Sequence, residues 1–72
     1  MDAVLIRVYC ELVREHGCTA DDILHHPELR QEYLSRSRAS LGTSPEEHEL
    51  LRRLSNLRKR SRLPRSRDIM AA

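Results

Sequence analysis

Residues 2–17 read DAVLIRVYCELVREHG, and the spacing of their apolar side chains decides the fold class. Leu5, Val8, Tyr9, Leu12, Val13 and His16 recur at i, i+3, i+4 and i+7, which places them on one stripe of a helix. Arg7, Glu11, Arg14 and Glu15 fall on the other side. Asp2 is a natural N-cap, so the helix is expected over about residues 3–16. Gly17 follows, a residue that takes the left-handed conformation of a helix end without a Cβ clash. Val4 and Ile6 widen the stripe into a girdle. Such a girdle belongs either to the central helix of a bundle or to a surface that meets a homodimer mate or another protein.

Outward from this segment the punctuation repeats. Thr19-Ala20-Asp21-Asp22 has the form of a capping box with Asp in place of Glu, and Ile23 and Leu24 supply apolar contact. The segment is short, because Pro27 pushes His26 away from helical dihedrals. Pro27 then opens a third helix, which carries Leu29, Tyr33, Leu34 and Leu41 inward and stops at Gly42. Ser35, Ser37 and Ser40 weaken it. The fourth helix has Ser44 as N-cap, Pro45 at its first position and Glu47 closing a capping box. Leu50, Leu51, Leu54 and Leu57 form its buried stripe, and Pro64 ends it, with Leu63 as the outer limit. No β-alternation and no internal repeat are present. The expected fold is all-α, a small compact bundle of three longer helices plus one short helix. It forms one domain over residues 1–64, with residues 65–72 a flexible C-terminal tail.

A chain of 72 residues buries only about 60% of its unfolded surface. Its apolar supply is aliphatic, with Tyr9 and Tyr33 the only aromatics. That leaves little material for the walls of an active-site cleft, so an enzyme is not expected. Asp2 stands where a signal peptide would carry positive charge, and Arg7 and Glu11 interrupt the apolar run. No stretch reaches the roughly 18 apolar residues of a membrane span. The expectation is a cytoplasmic protein with no membrane partner. Cys10 and Cys18 read as reduced, small semi-apolar fillers. His16, His25, His26 and His48, with Cys18, match no common zinc spacing, and no Gly-rich phosphate loop, Ser-His-Asp set or inward carboxylate pair is found. No metal or cofactor is expected.

The net charge of +2 hides an asymmetry. Residues 1–34 carry three basic and seven acidic side chains, a balance of −4, and residues 35–72 carry ten basic and four acidic, a balance of +6. Residues 50–67, LLRRLSNLRKRSRLPRSR, hold eight Arg or Lys and no acid. On a helical wheel Arg52, Asn56 and Lys59 lie opposite the leucines, Arg53 and Arg60 on one flank and Arg62 on the other. Arg65 and Arg67 extend the charge past the helix. The planar guanidinium fork suits phosphate. These residues therefore read as a nucleic-acid backbone contact, with Asn56 a candidate base-edge reader. The function expected is a small non-enzymatic DNA- or RNA-binding module with a regulatory role.

Other readings compete with this one. A cationic helix end can simply be solvated, although such a face usually mixes signs to gain i, i+4 pairs. Segments two and three could form a helix-turn-helix, with Arg30, Gln31, Ser35, Arg36 and Arg38 on its second helix. Glu28 and Glu32 would then face phosphate, and His26-Pro27 replaces the usual turn glycine. The main alternative is a protein–protein adaptor or a homodimerising helical domain. An amphipathic membrane helix is disfavoured, because the leucines of helix four are needed for the core.

Overall fold

In this computed structural model residues 1–71 are described, those at 66, 70 and 71 by their backbone alone. Five helices follow one another: α1 (Asp2–His16), α2 (Ala20–His25), α3 (Pro27–Leu41), α4 (Glu47–Lys59) and α5 (Ser66–Ala71). The architecture is all-α, three longer helices with two short ones. α1 is the central helix. It packs on α3, α4 and α5, and α2 bridges α3 and α4. Its stripe of Leu5, Val8, Tyr9, Leu12 and Val13 is buried, and Val4, Ile6 and Cys10 close over it in part. Cys18, Ile23, Tyr33, Leu34, Leu50, Leu54 and Leu57 complete one core. The Cα radius of gyration is 11.1 Å, the value of about 11 Å that a compact chain of this length should have. His16 shares the stripe by spacing but lies exposed in the last turn.

Both aromatic rings are buried, and a buried phenol needs a hydrogen-bond partner. The Tyr33 hydroxyl donates to the Leu50 carbonyl at 2.8 Å, tying α3 to α4. Burial, with a smaller contribution from the charge of Asp2, pushes the Tyr33 phenol well above its ordinary range. The Tyr9 hydroxyl donates to the Pro64 carbonyl at 2.8 Å, tying α1 to the segment after α4.

Several end signals act as the sequence implies. Gly17 (φ 63°) and Gly42 (φ 71°) are left-handed at the ends of α1 and α3. The Thr19 hydroxyl accepts from the Asp22 N–H at 3.2 Å, and the Asp22 carboxylate accepts from the Thr19 N–H at 2.9 Å. Other signals do not. α1 begins one residue early, with Met1 as N-cap and no side-chain cap. The expected capping box of Ser44 and Glu47 is absent: α4 starts at Glu47 with Glu46 as N-cap. Both flanks of this start make tertiary contacts instead. Glu47 turns to Arg30 at 3.5 Å, and the Pro45 carbonyl accepts from Arg38 Nε at 3.1 Å.

α4 also ends earlier than Leu63. The Ser61 N–H bonds the Arg58 carbonyl at 3.0 Å and the Arg62 N–H bonds the Leu57 carbonyl at 2.9 Å. Ser61 itself is left-handed, with φ 56°. This is a Schellman cap with serine in the glycine position. Beyond it, within the segment expected as the tail, Ser66–Ala71 form α5, which packs on α1 and buries Ile69 to 8% exposure. The wide girdle of α1 has apolar surface to spare for this further element. Ala72, the last residue of that expected tail, lies outside the described residues. Among the described residues no helix is long and apolar enough to cross a membrane.

Candidate nucleic-acid interface

The leucines fix how α4 faces. Successive residues step about 100° around a helix, so burying Leu50, Leu54 and Leu57 turns Arg52, Asn56 and Lys59 outward. All three are exposed. Arg53 and Arg58 fall on the two flanks of the leucine stripe, where neighbouring helices meet α4. Arg53 reaches Asp2 at the start of α1 (3.7 Å) and Glu49 (3.7 Å). Arg58 reaches Asp21 in the first turn of α2 at 2.7 Å. Through these solvent-open pairs the two arginines bridge α4 to α1 and α2. Arg53, a candidate phosphate ligand by sequence, is thus engaged within the fold.

The remaining candidates divide by position. Arg52, Arg53 and Asn56 line a shallow groove of about 440 Å³ with His48 and Glu49. Arg60 adjoins it, sharing with Arg53 and Asn56 a smaller depression beside Asp2. Arg62 lies after the cap of α4 rather than on a flank of the helix, because Ser61 turns the chain away. Arg65 and Arg67 open onto a different cleft, on the α2 side of α4. The expected single basic strip is therefore two basic surfaces.

Partners separate these cations from most of the others. Arg7 pairs with Glu11 at 3.9 Å and donates to the Ser40 hydroxyl at 2.6 Å. Arg30 and Arg38 are engaged at the start of α4 as described. Arg36 lies among Glu11 (3.7 Å), Glu32 (2.9 Å) and Glu15, to which it donates two hydrogen bonds, one of 2.8 Å. The Arg36 hydrogen bond holds the Glu15 carboxyl below its ordinary range. By contrast Arg52, Lys59, Arg60, Arg62, Arg65 and Arg67 make no ion pair or side-chain hydrogen bond among the described residues. Arg14 is the remaining cation in that condition.

The same sorting bears on the helix-turn-helix reading. Arg30, Arg36 and Arg38, three of its proposed contact residues, are half-buried and spent on intramolecular partners. It bears on the apolar surface as well: Met1, 46% exposed, is the exposed large hydrophobic among the described residues. The chain's own helices bury Leu5, Val8, Tyr9, Leu12 and Val13 of the α1 girdle and cover Val4 and Ile6 in part. Among the described residues no group of three His, Cys, Asp or Glu is placed to hold a metal ion. Burial pushes the Cys18 thiol up in pKa, and Cys10 is half-buried. Comparison with protein-family models, with curated proteins and with solved structures finds no significant match.

Proposed function

We propose that this protein is a non-enzymatic module that binds the phosphate backbone of nucleic acid on the outward face of α4 and the segment after it. The observation carrying the reading is that Arg52, Lys59, Arg60 and Arg62 are exposed and make no ion pair or side-chain hydrogen bond among the described residues, on a chain that pairs most of its other arginines. An unpaired guanidinium or ammonium is free to neutralise a phosphate and release the counterion condensed on the nucleic acid there, and that release supplies most non-specific affinity. Asn56, between Arg52 and Arg60 on the same face, has the amide that can read a base edge once phosphate contacts fix the register.

Fluorescence anisotropy with random duplex and single-stranded probes at about 50 mM salt tests this. With four or five contacts, log K against log[salt] on duplex should slope at roughly −4. Charge reversal at Arg52 and Arg60 together should flatten that slope by about two units on any probe sequence. Arg53→Ala should leave the slope nearly unchanged and lower stability instead, since its partners are Asp2 and Glu49. Absence of binding to either probe at roughly 100 μM protein, a concentration at which even non-specific complexes form, would overturn the reading.

A further inference from the structure

The second basic surface is a cleft of about 600 Å³ between the first turn of α2 and the connection from α4 to α5. Arg58, Arg65 and Arg67 line it, with Asp21 as its acidic group and Leu63 and Pro64 as apolar wall. The volume falls within the roughly 300–1,000 Å³ of small-molecule sites. Its wall is set by two fixed contacts. The Ser61 cap turns the chain at a defined place, and the Tyr9 hydroxyl holds the Pro64 carbonyl.

We infer that this cleft binds a phosphate monoester through Arg58, Arg65 and Arg67, and that Asp21 holds Arg58 while the cleft is empty. Three guanidiniums against one carboxylate leave a balance of +2, which matches a phosphate dianion better than a singly charged diester. Planar forks take phosphate oxygens two at a time, and an apolar wall strengthens the field they produce. Arg58 and Asp21 are 53% and 49% exposed. A pair so open to solvent is weak, so an incoming phosphate with more acceptor oxygens displaces Asp21 at little cost. The cleft lies on the flank of α4 opposite Arg53, and its ligand does not depend on binding at the outer face.

The monoester is either a free nucleotide or the phosphorylated end of a strand, and the test separates these. The full chain, ¹⁵N-labelled, is titrated with inorganic phosphate, with AMP, and with short duplexes bearing or lacking a 5′-phosphate. AMP should shift amides around residues 19–21 and 58–67 saturably. Arg65→Ala with Arg67→Ala should weaken AMP at least about tenfold, as expected for loss of charge-assisted forks. Asp21→Asn should tighten it roughly two- to fivefold by releasing Arg58. This second variant gives the result even if the arginine pair proves necessary for folding. A gain in duplex affinity from the 5′-phosphate that disappears in the arginine variant identifies a strand end, and binding of AMP without such a gain identifies a free nucleotide. No saturable shift with AMP or phosphate, or an Asp21→Asn protein that binds no tighter than the parent, overturns the inference. Charge reversal at Arg52 and Arg60 should leave AMP binding intact, so failure here and failure of the outer face are told apart.

Discussion

Ser61 takes the left-handed conformation that glycine takes at the ends of α1 and α3. An L-residue in that region costs roughly 1–2 kcal/mol through crowding of Cβ against the carbonyl, while glycine loses more chain entropy on folding, by roughly 0.5–1 kcal/mol. The first quantity is larger. Ser61→Gly should therefore stabilise the protein by about 0.5–1 kcal/mol, read as a higher urea midpoint with unchanged slope. Ser61→Ala should bring no such gain, and a lower midpoint for the glycine variant would show that the turn is not strained. This residue also marks a limit of what the sequence could reveal. Gly17 and Gly42 announce their helix ends because glycine favours φ > 0. Serine carries no such preference, so the first visible stop after α4 was Pro64, and Arg62 was assigned to a helical flank it does not occupy.

Two helices begin with what looks like the same capping motif, and the difference between them shows how local signals compete with tertiary partners. At α2 the box of Thr19 and Asp22 closes, with both reciprocal bonds made. At α4 the carboxylate of Glu47 is drawn to Arg30, and Ser44 is left in a non-helical segment three residues before Glu47. Thr19→Ala should accordingly cost about 0.5–2 kcal/mol. Ser44→Ala should fall within about ±0.5 kcal/mol, the range of an ordinary surface change. Equal losses in paired thermal melts would restore the box at Ser44. The long helices were legible because their apolar spacing runs over several turns, and the outward facing of Arg52, Asn56 and Lys59 followed directly from the leucines. α5 was not legible, since six residues are too few to display a period and only Ile69 carries its burial among the described side chains. The roles of Arg53 and Arg58 were hidden for another reason. Their partners, Asp2 and Asp21, lie far away in the chain, so an acid-free stretch of sequence did not mean acid-free surroundings.

Over the whole molecule, ion pairing is uneven. The acidic surface of α1 and α3 is neutralised from within, chiefly by Arg36 among Glu11, Glu15 and Glu32. Among the described residues most cations beyond residue 51 make no ion pair and lie exposed, whereas Glu11, Glu15 and Glu32 are held by Arg36. This arrangement couples one arginine to the acid response of the fold. The Arg36 hydrogen bond lowers the Glu15 pKa from the ordinary 4.5. A carboxyl whose pKa is depressed by folding stabilises the native state fully above its unfolded value and loses that contribution as pH falls through its folded value. Replacing Arg36 by Gln removes the contribution. The urea midpoint of Arg36→Gln should therefore lie below that of the parent at neutral pH, and the gap should narrow as pH drops below 4.5, the ordinary value for Glu15. Added salt should narrow the gap at neutral pH as well, because the cluster is solvent-accessible and screened. Arg52→Gln, outside any ion pair among the described residues, should show no such pH-dependent gap. If the deficit of Arg36→Gln stays constant from neutral pH to about pH 3, below the ordinary range of carboxylates, then Arg36 stabilises α1 against α3 by packing its methylenes and not by charge.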